Sequence, residues 1–151
     1  MATEKQKLGK FGEETVARRV FCPNCKADER TFRLLPVNFK CADLICDFCG
    51  YLAQVKSTTV SDSETLPISI LGAAWQPQKR RMDASIYFPL YIVLVESRTK
   101  FAIYFLPKEL QTEEMFIPRD PLKPTARRAG WQGYMIDLRK ALGKPVRIEV
   151  R

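Results

Sequence analysis

The chain has 151 residues, 46% of them hydrophobic, a formal net charge of +8 and no histidine. Its length suits one compact domain, and its hydrophobic content excludes a disordered chain. The lack of histidine excludes Ser-His-Asp and Cys-His catalysis, histidine-dependent nuclease chemistry and zinc sites with imidazole ligands.

The N-terminal part of the chain predicts one helix and one hairpin. In residues 4–20, apolar side chains recur at helical spacing, which predicts an amphipathic helix. The sequence CPNC (22–25) follows this helix directly. After a polar stretch, two strand-like segments at 37–45 and 51–58 flank the tight polar sequence CDFCG, which predicts a β-hairpin with CDFCG at its tip.

The rest of the chain alternates between helices and strands. The run YFPLYIVLV is almost continuously apolar, as expected of a central strand that is buried on both faces. The order of elements predicts an α/β domain with a mixed central sheet flanked by helices. The predicted elements are a helix at 68–82 that is bent or broken at Pro77, strands at 87–95 and 100–107, a short helix at 107–115, a loop at 118–130, and late strands at 131–138 and 146–150 with a helical turn at 137–142.

Four of the five cysteines form two CxxC pairs. The full pattern is Cys22-x2-Cys25-x20-Cys46-x2-Cys49, which is the spacing of a structural zinc site. Four thiolates complete a tetrahedron and leave no open position, so we expect a structural Zn²⁺ that joins the first helix to the hairpin tip. Two unrelated CxxC pairs, or a disulfide pair, are the alternative. We expect the remaining Cys41 to be a small apolar residue buried on a strand.

An acid, an amide and a lysine come together on the predicted hairpin. Asp43 and Gln54 lie nearly opposite one another across CDFCG, and Gln54 and Lys56 project from the same face of their strand. A carboxylate, an amide oxygen and the carbonyl of Val55 are hard ligands that suit Mg²⁺, which would activate a phosphodiester and a water for hydrolysis. Lys56 could orient or deprotonate that water and stabilise the developing charge. Ordinary strand-edge polarity is the alternative, because this short pattern also arises by chance.

Two acids on the first helix are further candidates for the same metal. Glu13 and Glu14 lie just upstream of the zinc clip (22–49). One of them could reach the magnesium site, and a solvated acidic pair is the alternative.

Three basic clusters are candidate contacts to DNA. The basic excess suggests a polyanionic partner, and a scattered coat of Lys and Arg on a basic protein is the alternative. Arginine suits bidentate hydrogen bonds to phosphate or guanine. For the run at 79–81, a solvated helix face is the alternative. We expect Trp75 and Trp131 to pack in the core rather than to stack on bases. The clusters are Lys79-Arg80-Arg81, Arg127-Arg128 and Lys5, Lys7 and Lys10.

Several stretches of the chain resemble the DpnI family of restriction endonucleases, which cut adenine-methylated GATC. They are CPNC, the Ala-Asp of CADLICDFC, QVKS at 54–57, and above all PLKPTARRAGW at 121–131 with the IDL that follows it. The likeness runs from residue 11 to about residue 150. The resemblance implies a PD-(D/E)xK nuclease core with an embedded zinc site.

The same resemblance implies a role for each candidate residue. Asp43 is the first acid, Gln54 takes the place of the second acid, Lys56 is the lysine, and Glu13 falls where the family has an acid on the first helix. Glutamine in place of the family's glutamate keeps an oxygen ligand but removes a negative charge, so we expect a lower metal affinity. Some branches of the wider superfamily also use Gln-x-Lys.

A second departure from the family concerns domain organisation. Members of the family continue into a C-terminal winged-helix domain, whereas this sequence stops at VRIEVR. We therefore expect a single nuclease domain over residues 1–151, as a one-domain relative or a fragment, without the methyl-adenine reading of that domain.

These features predict a Mg²⁺-dependent endonuclease of restriction type that cuts double-stranded DNA at a short site, with adenine-methylated GATC as the candidate. A non-catalytic zinc-containing DNA-binding module, in which Gln54 marks a decayed site, is one alternative. A structure-selective nuclease of the junction-resolving or repair kind is another. The sequence has no apolar run of the roughly 18–20 residues that a membrane span needs and no signal-peptide core. We therefore expect a cytoplasmic protein without a membrane partner, and the oligomeric state stays open.

Overall fold

The computed structural model describes residues 2–148. Along this range, helices and strands alternate as expected of an α/β chain. Their bounds are α1 Glu4–Arg19, β1 Phe32–Leu34, β2 Leu44–Cys46, β3 Leu52–Thr59, β4 Ser69–Ala74, α2 Trp75–Asp83, β5 Leu90–Ser97, β6 Lys100–Leu106, β7 Phe116–Pro118, β8 Gly133–Asp137 and β9 Val146–Ile148.

The strands form a large mixed sheet and a small antiparallel sheet. The large sheet has the order β1-β2-β3-β5-β6-β9 and the small one the order β4-β8-β7. Within the large sheet, β3 and β5 run parallel and the other neighbours run antiparallel. The predicted α/β class with a mixed central sheet is confirmed.

Strand β5 is the centre of the large sheet and is buried on both faces. Its residues Tyr91 and Val93 pack in the core beneath α1, whereas Leu90 and Ile92 pack against the small sheet. Each face of the strand therefore needs apolar side chains, which explains the nearly continuous apolar run in its sequence. The prediction of a central buried strand is confirmed.

Helix α1 lies very close to β3, and a glycine makes this approach feasible. Val16 and Val20 belong to the core between the helix and the sheet. A Cβ atom added to Gly12 would lie 1.8 Å from the Ser57 Oγ, a separation that no pair of atoms tolerates. The glycine therefore sets the distance between α1 and β3, and with it the position of the residues next to Gly12.

The predicted helix over 68–82 is wrong in its first half. Residues Ser69–Ala74 form β4, which pairs with β8, and the helix begins only at Trp75. The strand is required at this place because Gly72 lies against the Tyr134 ring, where an added Cβ would be 2.2 Å from the nearest ring carbon. Pro77 is in the first turn of α2, where its missing N–H has no intrahelical acceptor, so it neither bends nor breaks the helix.

The predicted hairpin exists, but its first strand is much shorter than the predicted 37–45. Only Leu44–Cys46 forms β2, and β1 lies in the polar stretch before it, for which we predicted no strand. Before β2 the chain makes a turn, in which the Phe39 N–H donates to the Pro36 carbonyl over 3.0 Å. Cys41 has a φ of 66°, in the left-handed region that interrupts a strand. Cys41 is therefore in a bend and partly exposed, not buried on a strand as predicted.

The later elements follow the prediction more closely. Strands β5 and β6, the loop before β8, β8 itself and a turn of 3-10 helix at Leu138–Lys140 are present. The short helix predicted at 107–115 is instead two 3-10 turns, Lys108–Leu110 and Glu113–Met115. Of the last predicted strand, Val146–Ile148 is β9, and Glu149 and Val150 lie outside the described residues.

In the described part of the chain, neither helix has the length and apolar character to cross a membrane.

The tight contact between α1 and β3 predicts opposite effects for two glycine substitutions on the same helix. Gly9→Ala should stabilise the protein by about 1 kcal/mol, the usual gain in helix propensity, because the added Cβ has no heavy atom within 4 Å. Gly12→Ala should instead destabilise it by about 1–3 kcal/mol. Urea unfolding followed by circular dichroism measures both changes.

Removing the Ser57 hydroxyl should return part of the stability lost in Gly12→Ala, because that oxygen is the nearest obstructing atom. A Gly12→Ala variant as stable as Gly9→Ala would contradict the close approach of α1 to β3.

Candidate active site

The four cysteines of the CxxC pairs meet at one point. Their sulfur atoms all lie within 4.8 Å of one another, with 3.7 Å between Cys22 and Cys49 and 3.9 Å between Cys25 and Cys46. A tetrahedral zinc with Zn–S bonds near 2.3 Å requires sulfurs about 3.8 Å apart, whereas a disulfide requires about 2.0 Å. The cluster therefore fits zinc and could hold the ion, and its four cysteines are free thiols rather than disulfides in this structure.

Backbone and hydroxyl groups support these sulfurs. The N–H of Asn24 donates to the Cys22 Sγ over 3.4 Å, and the N–H of Cys49 donates to the Cys46 Sγ over 3.4 Å. The Thr31 hydroxyl lies 2.9 Å from the Cys46 Sγ. Such donors stabilise thiolates, the form in which cysteine binds a metal. The cluster connects the end of α1 to the turn of the β2–β3 hairpin, as the sequence predicted.

At the opposite end of the hairpin, the pairing between β2 and β3 stops and one edge of β3 is left open. The ladder between β2 and β3 ends at the pair Leu44–Ala53, and β3 continues beside β5. At this point the Asp43 Oδ2 accepts a hydrogen bond from the Val55 N–H over 2.7 Å. The Asp43 carboxylate thus accepts the hydrogen bond that a backbone carbonyl would accept if the ladder continued. It lies at the open edge of β3.

Asp43, Gln54 and Lys56 line one cavity of about 210 Å³. Asp43 directly precedes Leu44 and Gln54 directly follows Ala53, at the point where the ladder ends and the Asp43 N–H donates to the Ala53 carbonyl over 2.9 Å. The structure thus brings the three hairpin residues together at one end of the hairpin. The other lining residues come from the turn before β2, from β4, α2 and β8; they are Phe39, Lys40, Cys41, Ala73, Ala74, Pro77 and Tyr134.

Three charged groups at the cavity influence one another. Burial raises the pKa of Asp43, while the Val55 N–H and Lys56 act in the opposite direction. Burial lowers the pKa of Lys56, against the attraction of Asp43 and Glu13. Burial, and then repulsion by Asp43, raises the pKa of Glu13 to about 7. Two acids and one amine therefore share a poorly solvated site.

The structure distinguishes between the two acids of α1. Glu13 is close enough to Asp43 and Lys56 for their charges to affect its pKa. Glu14 forms an ion pair with Lys10 at 3.8 Å. Glu13 is therefore the acid of the helix that adjoins the cavity, and the close approach at Gly12 brings it there.

A buried polar chain supports Gln54 and was missed in the sequence. Gln54 is 6% exposed, and the Tyr134 hydroxyl donates to the Gln78 Oε1 over 3.3 Å. Burial raises the pKa of Tyr134, and a hydrogen bond with the Gln54 side chain acts in the opposite direction. No local pattern could have linked Tyr134 to Gln54, because they meet only when β8 of the small sheet packs over β3.

The predicted cluster Lys79-Arg80-Arg81 divides into two parts. Lys79 forms an ion pair with Asp83 at 2.8 Å on the exposed side of α2. Arg80 and Arg81 line a groove of about 430 Å³ together with Lys40, a residue that sequence reasoning missed. Lys40 also lines the cavity, so this basic groove (Lys40, Arg80, Arg81) adjoins it.

Arg127 and Arg128 lie exposed in the ordered loop between β7 and β8. The Arg128 guanidinium is 4.4 Å from the centroid of the Trp131 ring, and a Cβ on Gly133 would meet that ring at 3.1 Å. Trp131 is half-buried and packs between the loop and β8, outside the two core clusters in which we expected it. The loop leads into β8, whose Tyr134 lines the cavity.

The other aromatic and basic candidates lie elsewhere. Trp75 packs beside Tyr134 with ring centroids 5.8 Å apart, at the edge of the core as expected. On α1, Lys7 forms an ion pair with Glu4 at 3.4 Å, and Lys5 is exposed. Part of the charge of the N-terminal lysines is therefore balanced within the helix.

The chain belongs to the DpnI family, the Dam-replacing family, whose model matches residues 1–149. The resemblance inferred from the motifs is thereby confirmed over almost the whole chain. The family suggests a restriction-type nuclease role, with DNA as the partner.

The cysteine cluster predicts one equivalent of zinc in the purified protein. Cys46→Ser should lose the zinc and much of the stability, because ligation of a structural metal contributes directly to folding. Cys41→Ser is the matched control and should retain the zinc, because Cys41 is outside the four-sulfur cluster. Elemental analysis and thermal unfolding measure both effects, and zinc-free wild-type protein would contradict the prediction.

Proposed function

We propose that this member of the Dam-replacing family is a Mg²⁺-dependent endonuclease that hydrolyses phosphodiester bonds in double-stranded DNA. The observation that carries the proposal is the meeting of Asp43, Gln54 and Lys56 on the walls of one cavity. Glu13 adds a second acid within electrostatic reach. The cavity opens beside a groove of basic residues, as an anionic substrate requires.

The donor set at the open edge of β3 fits a hard divalent cation. Gln54 uses its backbone N–H to bond the Pro89 carbonyl on the β5 side. In a strand, the N–H and C=O of successive residues point to alternate edges, so the Val55 carbonyl points to the open edge where Asp43 lies. Asp43, the Gln54 amide oxygen and the Val55 carbonyl would hold Mg²⁺ there. The ion would polarise the scissile phosphate and lower the pKa of a water.

Lys56 is the proposed base and charge stabiliser. Burial favours its neutral form, since it lowers the pKa of the amine, and a neutral amine can take a proton from the attacking water. The protonated Nζ can then stabilise the charge that develops on the phosphate. Glu13, whose pKa is raised to about 7, gains a favourable charged state when a cation lies near it and Asp43.

DNA is proposed to lie across the cavity, with its backbone on the basic groove and on the loop that carries Arg127 and Arg128. Adenine-methylated GATC is the first site to test, because the chain belongs to the DpnI family and the resemblance to that family implies this site. Gln54 in place of an acid favours one second candidate, a non-catalytic DNA-binding module. The neutral glutamine lowers the negative charge available to a metal.

The proposed chemistry predicts that Asp43→Ala and Lys56→Ala each lower cleavage by roughly 10²-fold or more, while DNA binding changes little. Asp43 holds the metal, and the chain has no histidine to replace Lys56 as a base. Digests of methylated and unmethylated plasmid, in Mg²⁺ or in EDTA, measure cleavage. Full activity of either variant, or of the wild type in EDTA, would contradict this mechanism.

Gln54→Glu separates a working site from a decayed one. If the amide oxygen is a metal ligand, the added charge should preserve or raise cleavage and lower the Mg²⁺ concentration needed for half-maximal rate. A wild type that cuts no DNA in Mg²⁺ or Mn²⁺ would favour the binding module over the nuclease.

Neighbouring cations on α2 should contribute unequally to DNA binding. Arg80→Ala should weaken binding by about tenfold and make the salt dependence shallower by about one unit of slope, because Arg80 lines the groove. Lys79→Ala should have a smaller effect, because Asp83 already balances its charge. Fluorescence anisotropy at several salt concentrations measures both variants. Equal effects would contradict the assignment of the groove as the path of the DNA backbone.

A further inference from the structure

The turn before β2 presents apolar side chains to solvent beside the candidate active site. Phe39 is 46% exposed and Val37 is fully exposed. Phe39 also lines the same cavity as Asp43 and Lys56, so it belongs to the candidate active site. An aromatic side chain thus stands at the mouth of a cavity whose other functional groups are charged.

The turn holds Phe39 at a defined place relative to the catalytic acid. Its two ends are joined by a hydrogen bond of 2.9 Å from the Leu35 N–H to the Asp43 carbonyl. Inside it, the Phe39 N–H bonds the Pro36 carbonyl at 3.0 Å. Phe39 and Asp43 therefore belong to one backbone loop that is closed by hydrogen bonds.

Cations line the groove that adjoins the cavity of Phe39. Lys40, the next residue, lines both the cavity and the basic groove, and Arg80 and Arg81 line that groove with it. An aromatic face next to a positively charged path is the arrangement by which proteins bind nucleic acid strands, with bases on the rings and phosphates on the cations. The charge of the surroundings favours a nucleobase over an apolar peptide as the partner of the ring.

We propose that Phe39 is a base-stacking residue: with a phosphodiester in the cavity, its ring stacks on the neighbouring nucleobase while Lys40 binds an adjacent phosphate. The proposal rests on the proposed function and deepens it. A base in a duplex is already stacked on its neighbours, so contact with Phe39 requires that the duplex be locally unstacked at the cut site. Phe39 thereby couples cleavage to a deformation of the DNA, which is easiest at flexible pyrimidine–purine steps.

The test compares Phe39→Ala with Phe48→Ala. Phe48 is also an exposed aromatic residue, at 69%, but it lies in the turn of the cysteine cluster, away from the described lining of the cavity. The probe is a GATC-containing duplex with 2-aminopurine next to the base proposed to stack on Phe39, bound without added Mg²⁺ so that no cleavage intervenes. EDTA is left out because it would also remove zinc from the cysteine cluster. The fluorescence of 2-aminopurine rises when the base is unstacked from its neighbours.

Wild type and Phe48→Ala should raise the fluorescence on binding, and Phe39→Ala should lose most of this rise and bind roughly tenfold more weakly. Phe39→Trp should restore both signals, because a larger ring stacks as well. Thermal unfolding should be unchanged in all variants, since both phenylalanines are exposed. Equal fluorescence and affinity for Phe39→Ala and wild type would overturn the proposal, as would equal losses in Phe39→Ala and Phe48→Ala.

The outcome also separates this inference from the nuclease function. Normal cleavage by wild type together with unchanged kcat/KM in Phe39→Ala would refute stacking and leave the nuclease standing. A Phe39-dependent fluorescence rise in a protein that never cuts DNA would support stacking and refute the nuclease.

Discussion

The hydrogen bond from the Val55 N–H to the Asp43 carboxylate determines how the large sheet ends and where its acid stands. A backbone carbonyl in that position would have continued the ladder and closed the edge of β3. With a carboxylate there, the chain can leave the sheet through the left-handed Cys41. The open edge, the cavity and the exposed turn that carries Phe39 all follow from this one substitution of side chain for backbone.

The short strand β2 is held at both ends, which explains how three residues can set a register. At one end the cysteine cluster fixes the hairpin turn against the end of α1, and at the other end Asp43 bonds to β3. Helix α1 is tied to the same hairpin by the close contact of Gly12 with Ser57. The cysteine cluster and the candidate active site thus lie at the two ends of one small structural unit. Loss of the cluster should therefore disturb the arrangement of the cavity residues.

A glutamine in a site of this kind has a structural reason as well as a chemical consequence. Gln54 is buried next to the Tyr134 hydroxyl, which in turn bonds Gln78. A neutral amide can donate to the tyrosine and direct its oxygen to the cavity, whereas a carboxylate there would be a second buried negative charge near Asp43. Burying an uncompensated charge is costly, so the amide lets the pocket form without a cation. The proposed metal would then have fewer charged ligands.

The sequence by itself determined four features: the cysteine spacing, the placement of Asp43 and Gln54 at one end of the same hairpin, the buried strand β5 and the family motifs. Each can be read from residue types and their spacing along the chain, without knowledge of which distant elements pack together. Only the tertiary structure decided that residues 69–74 form a strand, because their pairing with β8 and the fit of Gly72 against Tyr134 outweigh local helix preference. The tertiary structure likewise places Glu13 rather than Glu14 beside the cavity, and Arg80 rather than Lys79 in the basic groove. It also shows that Lys40, Phe39 and Tyr134 line the cavity. These choices depend on which face of a helix packs, on ion pairs with neighbours and on a bend at Cys41, and none of these is encoded in the spacing of residues along the chain.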